Sequence, residues 1–202
     1  MNRFHKLKKR SHPSPSKNVP KAWQNEIQRV LIPPDKIQKR VRALARAITR
    51  DYAGRDLVIV ALLNGTVMFL ADLIRHLELP LRLDFIGVSS YGAGTTSGQL
   101  VFTKELKLEV KGRHVLLIDD ILDTGKTITR VLAKLRPLKP RSLKVCVFLD
   151  KRARRTERAK ADYIGFQIPD FFVVGYGLDF AERYRNLPFV GVLEERVYQE
   201  KK

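Results

Sequence analysis

Cysteine is nearly absent from this 202-residue chain, which has one, along with one tryptophan, two methionines and only 8% aromatic residues. A single cysteine excludes an internal disulfide framework and argues against a cysteine-based zinc site. Its neighbours Leu143, Val145, Val147 and Leu149 mark Cys146 as a small buried hydrophobe, suited to a reducing compartment. Long apolar runs are also missing. No stretch approaches the ~18 residues of a membrane-spanning helix. The first residues have no apolar core of a secretory signal, so a soluble, intracellular, cytoplasmic protein is expected. Acids are scarce as well: 21 Asp and Glu face 39 Lys and Arg, for a formal charge of +18. That imbalance favours an anionic partner, either a polyanion or a phosphate-rich substrate. With 44% hydrophobic residues the chain is too apolar to be wholly disordered, and its length suits one domain with a small appendage.

Acids are absent from residues 1–22, which hold seven basic side chains (Arg3, Lys6, Lys8, Lys9, Arg10, Lys17, Lys21) and three prolines. This segment reads as a disordered basic tail ahead of a domain spanning 23–202. Few aromatics interleave its charges, which weakens a nucleic-acid reading. A second basic cluster comprises Lys151, Arg152, Arg154, Arg155, Arg158 and Lys160, and by charge alone it is a solvated helix or loop face.

Past the tail, helical and strand-like patterns alternate. Pro33, Pro34 and Asp35 start a helix whose apolar positions Ile37, Val41, Leu44, Ala45 and Ile48 keep helical spacing, ending near Gly54. Leu57–Leu63 is a continuous aliphatic strand, 66–77 is helical, and 83–88 is the next strand. Residues 92–98 are small and polar, the composition of a mobile loop. Val115–Ile118, the helix 124–135 and the strand 143–149 complete a strand-helix-strand succession. The fold expected is α/β, a mainly parallel sheet covered by helices on both faces, with ligands beyond the carboxyl ends of its strands.

One of those ends carries the sequence VLLIDDILDTGKT, residues 115–127. Asp119 and Asp120 close a hydrophobic strand, and Asp123, Thr124, Gly125, Lys126 and Thr127 stand where a helix begins. Helix-terminal N–H groups, a glycine and threonine hydroxyls suit a phosphate. A nucleotide-triphosphate loop is excluded, because Asp120 occupies the position of its first glycine and three carboxylates would repel a triphosphate. Paired acids beside a phosphate cradle suit a sugar phosphate, the carboxylates accepting hydrogen bonds from ribose hydroxyls.

This segment resembles the phosphoribosyl pyrophosphate signature of the type I phosphoribosyltransferases. The likeness spans about residues 25–198 and is strongest to the hypoxanthine-guanine enzymes. Leu62-Leu63-Asn64-Gly65 resembles the family's pyrophosphate loop, Ser89-Ser90-Tyr91-Gly92 the start of its mobile loop, and Leu149-Asp150-Lys151-Arg152 the site of its purine-reading lysine. Residues 169–179, with Arg185 beyond, resemble its hood, which the family builds from N-terminal and C-terminal segments. The resemblance implies that Asn64, Gly65, Asp119, Asp120, Asp123, Thr124, Gly125, Lys126, Thr127 and Arg185 bind phosphoribosyl pyrophosphate, with Asp123 as general base to purine N7. It implies a purine site of Lys151, Phe172, Val173 and Asp179, Phe172 stacking on the base. Lys151 donates and cannot accept, so a 6-oxopurine is favoured over adenine. Mg2+ at Asp179, Asp119 and Asp120, lid residues Ser90 and Tyr91, and a homodimer or homotetramer are further implications.

Two positions depart from the pattern. The family loop usually has Lys-Gly, often across a cis peptide bond, where this chain has Asn64-Gly65, and the first strand-end acid is Asp119 in place of glutamate. The implied activity is hypoxanthine phosphoribosyl transfer, extending to guanine. The competing reading is an RNA-binding regulator on the same fold, supported only by bulk charge and the tail. His76 and His114 lack a metal-ligand pattern, and Trp23 reads as a packing anchor.

Overall fold

The computed structural model describes residues 19–90 and 100–199. Its centre is a six-stranded sheet formed by β2 (Leu57–Leu63), β3 (Leu81–Ser90), β4 (Leu100–Lys104), β5 (His114–Leu122), β6 (Ser142–Asp150) and β7 (Tyr163–Gln167). The spatial order is β4-β3-β2-β5-β6-β7; all neighbours run parallel except β4, which lies antiparallel on β3. This is the α/β class expected from the alternation.

The aliphatic runs follow from burial on both faces. Along β2, Leu57, Ile59 and Ala61 enter one core, with Val41, Leu44, Ile48 and Phe69 of α1 (Pro34–Asp51) and α2 (Val67–Ile74). Val58, Val60 and Leu62 enter the other, with Ile128, Val131 and Leu135 of α3 (Lys126–Leu135). A strand that alternates between two dry layers has no polar face to reveal its period. Cys146 lies in the first layer, fully buried and free.

A second sheet is small and antiparallel, in the order β1-β9-β8. It joins β1 (Ile27–Ile32) near the start of the chain to β8 (Val173–Val174) and β9 (Val190–Leu193) near its end, followed by the short α4 (Glu195–Gln199). Its core includes Val19, 2% exposed, with Ile27, Val174, Tyr184, Leu187, Phe189 and Leu193. Packing therefore includes Val19, four residues before the boundary expected at 23, because an apolar residue inside the basic segment reaches the hood core. Trp23, in the 3-10 turn Lys21–Trp23, packs against the same cluster.

Some element ends differ from expectation. β5 includes Asp119 and Asp120, since pairing with β6 continues to Leu122↔Asp150. α3 starts at Lys126 and not at 124, because Gly125 sits at φ +87°, left-handed backbone that a right-handed helix cannot contain. α2 stops at Ile74, and residues to Leu77 form tighter turns ahead of Pro80. Tyr91 and the expected loop 92–98 lie outside the described residues, and Ser90 is the last residue of β3.

Candidate active site

Connections leave the sheet in opposite directions at the β2–β5 boundary: β2 leads through α2 to β3 on one side, and β5 through α3 to β6 on the other. The carboxyl ends of β2 and β5 thus form the crevice where open α/β sheets bind ligands. Asn64-Gly65 follows β2, and Asp119 to Thr127 closes β5 and opens α3.

The two loops meet where the Asp120 side chain closes on Gly65. A Cβ at Gly65 would lie 1.7 Å from Asp120 Oδ2, and one at Gly177 would lie 2.0 Å from the Gly65 carbonyl oxygen. Gly65 is therefore sandwiched between the strand-end acid and the hood, and a side chain there would displace the Asp120 carboxylate. The cis peptide bond joins Leu63 to Asn64, one bond before the Asn64-Gly65 link at which it was expected. Asn64 is exposed and its carbonyl accepts the Val67 N–H at 3.2 Å.

Asp119 is 7% exposed, and its Oδ1 accepts the Asp120 N–H at 3.0 Å; Asp120 Oδ1 accepts the Ile121 N–H at 2.8 Å. Burial, then the charge of Asp120, pushes the Asp119 carboxyl well above the ordinary range. Burial raises Asp120 too, against pulls from its hydrogen bonds and from Arg185. A cleft holding both charges gains from donors that share them, which is what vicinal hydroxyls offer.

Asp123 lies three residues after Asp120. Its Oδ1 is buried without a hydrogen-bond partner, and its Oδ2 lies 3.8 Å from Lys151 Nζ and 3.6 Å from Arg154 Nη1. The Oδ1 of Asp123 thus keeps its accepting capacity for a donor from outside the protein. Lys151, 5% exposed, donates to the Phe171 carbonyl at 3.1 Å and pairs with Asp170 at 2.9 Å. This tethers the lysine between the β5 loop and the hood. Phe172, next along, is 37% exposed; Tyr198 stacks on it at 4.6 Å and 14°, and Phe180 meets it edge-on at 5.5 Å. Val173 is buried in β8.

Arg185 pairs with Asp179 at 2.9 Å and with Glu182 at 3.0 Å, and donates to the Gly177 carbonyl at 3.0 Å. The turn presenting this pair holds Tyr176, Ala181, Glu182 and Tyr184 at positive φ, an unusual concentration for non-glycine residues. Among the described residues no three His, Cys, Asp or Glu side chains form a metal cage. The expected metal set of Asp119, Asp120 and Asp179 is thus not assembled, because Arg185 engages Asp179 while the paired strand-end acids bond to adjacent N–H groups. The donors do suit a divalent ion held by one carboxylate and completed by substrate phosphates, the usual arrangement for a small hard cation.

The structure thus gathers Gly65, Asp120, Asp179 and Arg185 on one side of the cleft, and Asp123, Lys151 and the hood residue beside Phe172 on the other. Asp170, Gly177 and Arg155 were not singled out by sequence. Arg155 stood in the basic cluster read as solvated, but its guanidinium is turned inward with four hydrogen bonds. Nothing in a run of arginines distinguishes the one that folds inward.

A phosphoribosyl transferase domain model matches residues 34–181. The chain belongs to the phosphoribosyltransferase family. Within it the relatives are specific: the chain is 44% identical to the hypoxanthine-guanine phosphoribosyltransferase of Bacillus subtilis over 177 residues, 87% of this chain and 98% of that protein. It also superposes on a solved hypoxanthine phosphoribosyltransferase from Staphylococcus aureus with a TM-score of 0.84 and 41% identity, covering 91% and 99% of the two chains. The bifunctional TilS/HprT protein of Listeria monocytogenes is 44% identical over 180 residues, 89% of this chain but only 28% of its own length. These matches place the chain among the hypoxanthine-guanine phosphoribosyltransferases.

Proposed function

We propose that the protein transfers the 5-phosphoribosyl group from phosphoribosyl pyrophosphate to hypoxanthine, and to guanine, releasing IMP or GMP and pyrophosphate. The observation that carries this reading is Lys151, a buried donor held between Asp123 and the hood residue Phe171, beside the open aromatic Phe172. A donor-only group at that position pairs with a purine 6-oxo group and faces donor against donor with adenine. Asp123 Oδ1 supplies the acceptor for the N7 proton as nitrogen attacks the ribose C1. The loop Asp123–Thr127, with Gly125 left-handed and the first N–H groups of α3 free of helical partners, suits the 5′-phosphate. Asp119 and Asp120 accept from the ribose hydroxyls.

Gly65, Asp179 and Arg185 face the diphosphate. Mg2+ entering with that diphosphate would be held by Asp179 and would neutralise charge on the leaving group. Exchange of the Arg185–Asp179 pair for pyrophosphate and metal keeps both charges matched. Asn64 contributes no cation, so this side relies more on Arg185 and backbone N–H groups than a lysine-bearing loop does. The RNA-regulator reading gains no support from a cleft equipped in this way.

The test is formation of nucleoside monophosphate from phosphoribosyl pyrophosphate and Mg2+, with hypoxanthine, guanine, xanthine, adenine and uracil assayed in parallel. Turnover of 6-oxopurines and not of adenine or uracil is expected. Tight binding of phosphoribosyl pyrophosphate without turnover of any base would overturn the enzyme reading.

A further inference from the structure

The loop that carries Asp123 has few contacts within itself, yet it must hold a general base and a phosphate cradle in register. Lys126 N–H reaches Thr124 Oγ1 only at 3.4 Å, and Gly125 lies outside the regular helix. What fixes the loop comes from the segment after β6. Arg155 Nε donates to the Asp123 carbonyl at 2.8 Å, and Nη2 donates to the Leu122 carbonyl at 2.9 Å. The same Nη2 lies 2.5 Å from Asp150 Oδ1, and Nη1 donates to the Ala159 carbonyl at 2.8 Å. The next two residues add to the grip: the Thr156 and Glu157 N–H groups both point to the Thr124 carbonyl, at 3.0 and 3.1 Å. Gly125 is packed by the same segment, since a Cβ there would come within 3.1 Å of both Arg155 Cδ and Glu157 Cβ.

We infer that Arg155 is a positioning residue for the reaction: it bolts the Asp123–Gly125 loop to the end of β6 through the buried Asp150 carboxylate, and so sets where the base and the phosphate cradle stand. The inference rests on the phosphoribosyl-transfer reading of the site. The chemistry suits arginine and not lysine. Three carbonyls and one carboxylate lie around a planar fork of donors, whereas an ammonium offers three donors from a single point. Asp150 is 3% exposed, so its charge requires a partner, and Arg155 is the more enclosed of its two arginines, with 19% of the side chain accessible against 67% for Arg152. Among the described residues Arg152 makes no hydrogen bond to the loop, which makes it the natural control.

Arg155→Lys and Arg155→Gln are to be compared with wild type and Arg152→Gln, measuring KM for phosphoribosyl pyrophosphate and for hypoxanthine, kcat, and melting temperature. A misplaced cradle is expected to raise KM for phosphoribosyl pyrophosphate at least tenfold and lower kcat about a hundredfold in Arg155→Lys, with KM for hypoxanthine nearly unchanged. Arg152→Gln stays near wild type. Arg155 borders a groove of about 640 Å³, so guanidinium ion has a route to the vacated position in Arg155→Gln, and millimolar guanidinium is expected to restore part of kcat. Unchanged KM in both variants, with loss only of melting temperature, would reduce Arg155 to a structural role. Amide hydrogen exchange of residues 123–127 in the ligand-free protein reads the same bolt without any turnover: faster exchange in Arg155→Lys than in Arg152→Gln supports it, and equal rates overturn it. An inactive wild type with that exchange difference intact would remove the transferase reading and leave the bolt standing.

Discussion

Asp123 offers two different oxygens to the cleft. One is buried and unpartnered, the other faces Lys151 and Arg154. In the proposed reaction the unpartnered oxygen is the acceptor for a purine proton. Asp123→Asn keeps the shape and removes the ability to take that proton. Turnover is expected to fall by about a hundredfold or more, with the dissociation constant of phosphoribosyl pyrophosphate moving less than about threefold, as measured by single-turnover kinetics and calorimetry. Small and equal effects on both would take Asp123 out of the base role. At this scale the sequence was informative wherever chemistry is spelled in order. The acids, the glycine and the threonines of 119–127 stand in one unbroken motif, and Lys151 follows an aliphatic strand. It was silent where a residue's role comes from direction. Arg154 and Arg155 are adjacent and identical in type, yet one is half exposed and the other is a four-bonded clamp. Asp170 likewise acquires its role only because the hood brings it to Lys151.

The arms of β3 and β4 show how an element is held for the site. Asp84, buried in β3, accepts the Lys104 ammonium at 2.9 Å and the N–H groups of Phe85, Lys107 and Leu108 at 2.6–2.9 Å. Burial alone would raise this carboxyl; Lys104 and the three N–H groups outweigh it and hold it well below the usual carboxylate range. A depressed folded-state pKa gives stability that is complete above the unfolded value near 3.9 and is lost as pH falls through the folded one. Asp84→Asn is therefore expected to cost about 2 kcal/mol in urea denaturation at pH 7, less than the ~3–5 kcal/mol of a fully buried pair because Lys104 is a third exposed. The penalty is flat from pH 5 to 8, starts to shrink below about pH 4, and disappears only as pH falls through the depressed folded value. A penalty that persists undiminished at pH 3 would mean the loss is packing and not charge. β2, β5 and β6 were readable because their uninterrupted apolar runs of seven, four and five residues signal strands buried on both faces. β1, β7, β8 and β9 were not: they are two to six residues long, and their partners lie far away in sequence, Ile27 with Leu193 and Val173 with Val192. Short strands of that kind exist because of tertiary pairing, which local periodicity does not encode.

For the molecule as a whole, the hood is closed by a residue from the segment that its composition had assigned to a tail. Val19 is 2% exposed in a cluster with Ile27, Tyr184, Leu187, Phe189 and Leu193, and its carbonyl accepts the Gln24 side-chain amide at 3.1 Å. Tyr184 and Leu187 lie on either side of Arg185, so the packing of Val19 supports the turn that carries the arginine proposed to face the diphosphate. Burying a valine is worth about 1.5–3 kcal/mol, and in a protein of this size that converts to a melting shift of about 5 °C. Two truncations separate the tail's charge from this contact. Removing residues 1–18 takes away six basic side chains and leaves Val19 in place, so melting temperature and kcat are expected to match the full chain. Removing residues 1–22 deletes one more basic residue and the valine, and is expected to lower the melting temperature by about 5 °C and raise KM for phosphoribosyl pyrophosphate. Equal melting temperatures for the two would show that Val19 adds nothing to the hood. A loss of turnover already at the first cut, in protein that melts like the full chain, would show that the basic segment acts in catalysis, through the positive field it adds around an anionic substrate.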